Sequence, residues 1–177
     1  MKRAGLGGGV ILLVVMLLLV SCSPSPPNYF AYTEQSLRAE LRGKLHGNDF
    51  VALLELKHDP NGLKGGSHIR IEYLAPESMK GIMVLAPLDT GEGIFATATL
   101  GELSLRVLRE SVAGWLLPAD LLLALRDDPI ERVERREEGF FLTFEEGITL
   151  LVDREGMPLA LRSDAVDLKV VWWEPIF

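Results

Sequence analysis

Residues 37–56 read LRAELRGKLHGNDFVALLEL, and their alternation of apolar and polar residues decides the fold class. From Leu37 to Leu45, apolar or small residues at every second position alternate with charged or polar ones. This period is typical of a β-strand with one buried and one solvent-exposed face. The segment HGND at 46–49 supplies turn residues, and the apolar register resumes over 50–56. The stretch therefore predicts a β-hairpin.

Similar short segments continue to the end of the chain, separated by glycine, proline, aspartate and asparagine. They predict about 10 to 11 strands joined by tight turns. No internal repeat stands out, so strands that are neighbours in sequence are expected to pair as a meander. The predicted strands are 37–45, 50–56, 69–73, 80–85, 94–100, 103–108, 130–136, 140–144, 148–152, 158–163 and 166–173.

One segment, SVAGWLLPADLLLALRD at 111–127, has a different character because it is rich in leucine and alanine. Pro118 followed by Ala119 and Asp120 is typical of the first turn of a helix. We therefore predict a turn over 112–117 and a largely buried helix from Pro118 to about Asp127. The predicted fold is mainly β (α+β): a single curved antiparallel sheet or half-open β-barrel, with one apolar helix against its concave face.

The N-terminus has the pattern of a secretory signal. A short cationic head, Met1-Lys2-Arg3, precedes an apolar run over 10–20. That run is shorter than the roughly 20 residues that a membrane-spanning helix needs. A signal peptide therefore fits these residues better than a transmembrane helix does.

The sequence Leu19-Val20-Ser21-Cys22 resembles the lipobox of bacterial lipoproteins. The resemblance implies that a diacylglyceryl group is attached to the thiol of Cys22 and that a peptidase cuts before it. An uncleaved anchor helix and a free thiol are the alternatives. The predicted organisation is a signal peptide over 1–21, a lipidated flexible linker over 22–36 and a β domain over 37–177.

The predicted linker is rich in proline, which favours an extended chain. It also contains three aromatic residues, Tyr29, Phe30 and Tyr32. These side chains either dock on the domain or lie at the membrane interface as amphipathic aromatics.

The charge balance excludes several partners. Without Lys2 and Arg3, 16 basic residues stand against 25 acidic ones, a formal charge of 16 − 25 = −9. This balance argues against nucleic acid, which demands clustered lysine and arginine, and against electrostatic adhesion to anionic lipid. A single cysteine excludes an internal disulfide and a multi-cysteine zinc site.

The usual catalytic motifs are absent from the sequence, so we expect a non-enzymatic protein without cofactor or metal. A metal site joining His58, Asp59 and His68 can be imagined, but solvated loop histidines are the favoured interpretation because this loop is rich in glycine. The glutamates over 131–138 are interleaved with arginines, which indicates charge pairing at the surface.

Two groups of apolar residues are candidate binding residues. Those of the predicted helix either line a ligand cavity or simply fill the concave face of the sheet, and Met79, Met83 and Met157 are similarly ambiguous. Trp172 and Trp173 are adjacent on the last predicted strand and should point to opposite faces. An exposed tryptophan there, or an open edge of the terminal strand, is a candidate interaction surface. The cavity candidates are Trp115, Leu117, Leu121, Leu122 and Leu125.

The patterns LRAELRGKLHGNDFVALLELK, IRIEYLAPESMKGIMV, the leucine-rich helix and the closing DLKVVWWEP together resemble the LolA/LolB superfamily. They resemble still more the clostridial lipoproteins of that fold that are associated with spore germination. The resemblance implies a half-open antiparallel barrel with helices against its mouth. Founding members of the superfamily carry lipoprotein acyl chains in the apolar cavity.

The expected function is that of a lipoprotein anchored through Cys22 on the extracytoplasmic face of the bacterial cell membrane. It would bind an apolar ligand, such as a lipid acyl chain, in the concave face of the sheet. The alternative is an interaction protein that regulates a cell-wall (spore cortex) enzyme through an edge strand or exposed aromatic patch.

Overall fold

The computed structural model describes residues 27–59, 66–88 and 95–176. Within these ranges eleven antiparallel strands form one curved sheet in the order β6-β5-β4-β3-β2-β1-β11-β10-β9-β8-β7, which confirms the predicted fold class. The strands are β1 Leu37–Leu45, β2 Asn48–Lys57, β3 His68–Ala75, β4 Ile82–Pro87, β5 Phe95–Leu100, β6 Leu103–Leu108, β7 Ile130–Arg135, β8 Phe140–Phe144, β9 Thr149–Val152, β10 Pro158–Arg162 and β11 Val166–Pro175.

The sheet consists of two meanders joined at its centre. Strands β1 to β6 follow in order on one side, and β11 to β7 follow on the other. The predicted meander is therefore right within each half and wrong between β6 and β7, which lie at opposite edges. The two halves meet where β1 pairs with β11, from Leu37 opposite Pro175 to Leu45 opposite Val166. The described strands leave the sheet open rather than closed into a barrel.

The buried face of the sheet follows the alternation seen in the sequence. On β1, Leu37, Ala39, Leu41 and Leu45 are buried, and the equivalent positions of β2 and β3 continue the same core. Gly43 occupies the remaining inward position because β11 passes close to it. A Cβ atom there would lie 2.0 Å from the carbonyl oxygen of Asp167.

A single α-helix in the described residues, α1, Ala113–Ala124, lies against this buried face and follows a 3₁₀ turn over Arg109–Val112. The predicted start at Pro118 and end near Asp127 are wrong. The first turn forms because Leu116 is fully buried, and tertiary packing outweighs the preference of proline for a helix start. Pro118 has no N–H to donate to the carbonyl group of Gly114. Gly114 is exposed, so water can take the place of that donor.

The aromatic residues before the sheet dock on the domain. The ring centroids of Tyr29 and Phe140 are 5.1 Å apart, and those of Phe30 and Phe144 are 6.3 Å apart. Tyr32 lies in a 3₁₀ turn, is 0 % exposed and packs within the core. Of the two interpretations drawn from the sequence, docking is the one observed.

The candidate signal and lipidation residues, including Leu19, Val20, Ser21 and Cys22, lie outside the described residues. In the part of the chain that the structure describes, no helix has both the length and the apolar character needed to cross a membrane.

Candidate ligand-binding groove

An open groove of about 390 Å³ lies at the N-terminal end of α1. Three elements form it: the β1–β2 turn, the β3–β4 connection and the first turn of the helix. Its position follows from the topology, because all three elements meet at one end of the concave face. The residues that line it are Leu45, His46, Asn48, Pro76, Ser78, Met79, Gly114 and Trp115.

Local backbone structure brings the β3–β4 connection into the groove. Between the two strands the chain folds into a compact turn in which the N–H of Met79 donates to the carbonyl oxygen of Pro76 at 2.9 Å. The N–H of Ile82 then donates to the carbonyl oxygen of Met79 at 3.0 Å. Met79 is partly buried against the core, so its flexible thioether forms a wall that can adapt to different ligands.

Trp115 is held in place by the sheet beneath it. Its ring packs edge-on against Tyr73, with ring centroids 5.4 Å apart and an interplanar angle of 76°. The hydroxyl group of Tyr73 donates a hydrogen bond of 2.8 Å to the carbonyl oxygen of Trp115. Burial raises the pKa of Tyr73 above its ordinary value, so this hydroxyl stays protonated at neutral pH. The wall formed by Trp115 is therefore fixed relative to β3.

The lining combines apolar walls with a few polar groups. Leu45, Pro76, Met79 and Trp115 supply the apolar surface, whereas the polar side chains come from the turns at the rim. Sites for small apolar ligands have this composition, in which polar groups fix the orientation of a ligand held by apolar contact. Among the described residues no group of three or more histidine, cysteine, aspartate or glutamate side chains could hold a metal ion.

Among the five predicted cavity residues, Trp115 lines this groove. Leu122 and Leu125 are buried within the core, and Leu117 and Leu121 pack against it from the helix. The helix therefore fills the concave face, and the groove lies beyond its N-terminal end. Leu45 and Pro76 were not predicted, since they flank ordinary turns and carry no signal for ligand binding in the sequence.

A second, polar cavity of about 610 Å³ lies beside the C-terminal half of α1. The guanidinium group of Arg109 donates to the carboxylate of Asp120 on the helix, and at 2.9 Å to the carbonyl oxygen of Pro87 at the end of β4. Burial raises the pKa of Asp120, and the charge and hydrogen bond of Arg109 oppose that rise. This pair clamps the helix to the sheet, and its charge makes the cavity a poor site for an apolar chain.

The two tryptophans of β11 lie on opposite faces, as alternation along a strand predicts. Trp173 packs against the core. Trp172 is 37 % exposed, and its Nε1–H donates a hydrogen bond of 3.1 Å to the carboxylate of Glu40. The terminal strand is not an edge of the sheet, so that expectation is wrong: β11 pairs with β1 along its length. In the described residues, however, β10 pairs only with Asp167–Lys169 of β11, and the nearby Val171 is exposed.

No family model matches this chain, and no curated protein matches it. Solved structures that are similar to it include the following two. One is an uncharacterized conserved protein from Thermus thermophilus, with 16 % identity, 84 % of each chain covered and a TM-score of 0.49. The other is described as an outer membrane lipoprotein-sorting protein domain from Vibrio parahaemolyticus, with 8 % identity, 83 % of this chain and 90 % of that chain covered, and a TM-score of 0.45. Neither similarity carries a functional argument, and the resemblance to clostridial germination lipoproteins stays a prediction.

Proposed function

We propose that this protein is a non-enzymatic lipoprotein that holds an apolar chain, such as the acyl chain of a lipid, in the groove at the start of α1. The observation that carries the proposal is a groove of about 390 Å³ with mainly apolar walls. Ligand sites in proteins range from about 300 to 1,000 Å³. Each methylene group that leaves water for such a site contributes about 0.8 kcal/mol.

Gly114 offers a way to block the groove without disturbing the core. A Cβ atom at this position would meet no other atom within 4 Å, so a larger side chain can extend into the groove. The preceding Ala113 is also exposed, but it is not among the lining residues. Gly114→Leu and Ala113→Leu are therefore a matched pair, of which only the first should fill the groove.

Native mass spectrometry of a chain that begins at Ser23 tests the binding step. This chain keeps every described residue, including Tyr32 in the core. We expect the unmodified chain and Ala113→Leu to carry an added mass, which solvent extraction identifies as a phospholipid or fatty acid. Gly114→Leu should lose it. An apo mass for the unmodified chain, or an adduct that survives in Gly114→Leu, contradicts the proposal.

We further propose that the chain is anchored on the extracytoplasmic face of the bacterial cell membrane through a diacylglyceryl group on Cys22. The Leu19-Val20-Ser21-Cys22 pattern supports this. Metabolic labelling with palmitate tests it: the chain should take up the label, and Cys22→Ser should not. Label that persists in Cys22→Ser would contradict the anchor without bearing on the groove.

The exposed surface around Trp172 favours a second candidate function, in which the protein binds and regulates a cell-wall enzyme. Val171 and Trp172 are consecutive exposed residues on the part of β11 that follows its pairing with β10. A photo-crosslinking residue at position 172 should then capture one cell-wall enzyme in the source organism. The same residue at Glu131, which is exposed on the edge strand β7, should not capture it. Equal capture at both positions argues against this function.

A further inference from the structure

The two edges of the sheet differ in how well they are protected against pairing with another chain. The edge strand β7 reads IERVER and carries four charged residues in six. The opposite edge strand, β6, reads LSLRVL and carries one. Natural sheets protect exposed edges with charges, and an apolar edge is a site for pairing with a further strand. Charges therefore protect the edge at β7, whereas the edge at β6 has one charge and, among the described residues, no further strand beside it.

Two of the exposed leucines of β6 belong to an apolar row on one face of the strand. Val107 lies opposite Ala96, which is buried, so Leu103, Leu105 and Val107 share the concave face. Leu103 is 59 % exposed and Leu105 is 52 % exposed. The other face carries Ser104, Arg106 and Leu108, of which Leu108 is 41 % exposed.

The β5–β6 turn determines which backbone groups face the open edge. Its loop has two residues, of which Gly101 has a φ of +59°, as a type II′ hairpin turn requires at its first position. The residues flanking such a loop exchange hydrogen bonds with each other, and this pattern alternates along the strand. The N–H and C=O groups of Ser104 and Arg106 therefore point away from β5, towards the open edge.

We propose that β6 pairs antiparallel with β6 of a second copy of this chain, with Leu105 opposite Leu105 on the two-fold axis. In this register Ser104 of each copy lies opposite Arg106 of the other, and these pairs exchange backbone hydrogen bonds. Leu103 of each copy lies opposite Val107 of the other, so the apolar rows form one continuous surface. A register centred on Arg106 is disfavoured because it places two guanidinium groups opposite each other.

The occupant that fits this edge best is a strand and not lipid. The hydrocarbon part of a membrane cannot form hydrogen bonds with the outward groups of Ser104 and Arg106. A second copy supplies both the donors and acceptors and a matching apolar row. The pairing also sets no like charges opposite each other, because Arg106 is the one charged residue of β6 and faces Ser104 of the other copy. An interface between two identical strands is symmetric and closes at a dimer.

Cysteine crosslinking of the full-length protein in isolated membranes tests the pairing. The proposed register makes Leu105 a non-hydrogen-bonded pair with its copy, so the two Cα atoms would be about 4.5 Å apart. A disulfide needs a Cα separation of about 4.4–6.8 Å. Val133→Cys is the matched control, because Val133 is 44 % exposed on the protected edge β7. The unmodified chain shows any dimer that forms through Cys22.

After mild oxidation, Leu105→Cys should give a dimer band at least tenfold stronger than Val133→Cys or the unmodified chain. Equal bands would indicate random collision, and no band would indicate an unpaired edge; either result overturns the proposal. Light scattering of the chain from Ser23 provides a second measurement. Leu105→Lys places two ammonium groups opposite each other and should weaken dimerisation roughly tenfold or more, with an unchanged circular dichroism spectrum. A dimer that this substitution leaves intact overturns the register.

The pairing uses neither the groove nor the lipid anchor, so its outcome is independent of the proposed function. If the chain is monomeric in solution and its β6 hairpin is protected from hydrogen exchange only on phosphatidylcholine vesicles, lipid covers this edge and the proposal is wrong.

Discussion

Replacing Tyr32 with phenylalanine removes one hydroxyl group from the interior and tests whether the segment before the sheet belongs to the folded domain. The hydroxyl group of Tyr32 donates a hydrogen bond of 2.6 Å to the carbonyl oxygen of Leu122 on α1. Tyr32 is 0 % exposed, so water cannot replace the donor. Leaving a buried acceptor without its partner costs about 1–3 kcal/mol, and we expect the free energy of unfolding to fall by that amount.

Urea unfolding monitored by circular dichroism measures this change on the chain that begins at Ser23. Tyr32→Ala also removes the ring and should cost about 3–5 kcal/mol, as large-to-small substitutions of aromatic core residues do. Tyr29→Phe is the control: this side chain is only partly buried, and we expect a change of about 0.5 kcal/mol or less. If Tyr32→Phe were as stable as the unmodified chain, Tyr32 would not be anchoring the helix.

The same variant predicts a change in the response to alkaline pH. Burial raises the pKa of Tyr32 above the ordinary value of 10.0. A group whose pKa is raised in the folded state ionises first in the unfolded chain, so its contribution to stability is present below pH 10 and is lost above it. Tyr32 should therefore lower the free energy of unfolding by about 1.4 kcal/mol per pH unit above pH 10. Tyr32→Phe has no hydroxyl group to ionise. The difference in the free energy of unfolding between this variant and the unmodified chain should therefore be about 1.4 kcal/mol smaller at pH 11 than at pH 8. If this difference in stability were the same at both pH values, the alkaline loss could not be assigned to the Tyr32 hydroxyl group.

Three further substitutions test other contacts of the helix and the N-terminal segment. Arg109→Met leaves Asp120 without its partner and should cost about 1–3 kcal/mol at pH 7. The pKa of Asp120 then rises further, so the cost should be smaller at pH 4, as unfolding at both pH values would show. Tyr73→Phe removes a second hydrogen bond to the helix and should lower stability by a similar amount in urea. Gly156→Ala places a Cβ atom 2.0 Å from the carbonyl oxygen of Asn28 at a φ of +83°, so it should displace the N-terminal segment and increase its cleavage by protease. Protease resistance equal to that of the unmodified chain would contradict the close contact between Gly156 and Asn28.

The strands could be predicted from sequence because each one carries its own alternation and ends at residues that favour turns. Leu103–Leu108 and Phe140–Phe144 were predicted at their observed bounds. The pairing of β1 with β11 could not be predicted, because it joins segments more than a hundred residues apart and depends on where the helix carries the chain. Local patterns contain no information about that connection.

The helix shows how tertiary contacts outweigh a local signal. Pro118 is typical of a helix start, yet α1 begins at Ala113 because Leu116 enters the core and Tyr73 bonds to the first turn. The same contacts decide which residues of the helix line the groove. Trp115 and Leu122 were both among the predicted cavity residues, yet Trp115 lines the groove and Leu122 is buried in the core. Which leucine meets a cavity depends on packing at the end of the helix, and composition does not report it.

The position of the helix also bears on how a ligand would enter the groove. Tyr73 bonds to the carbonyl group of Trp115 in the first half of α1, and Tyr32 bonds to that of Leu122 in the second half. A helix that swung away from the sheet would break both hydrogen bonds, of which the one from Tyr32 is buried and costs about 1–3 kcal/mol to lose, and would expose Leu116 as well. The groove lies beyond the end of the helix and is already open. We therefore expect an apolar chain to enter without movement of α1, so that tightening the helix against the sheet would leave ligand affinity unchanged.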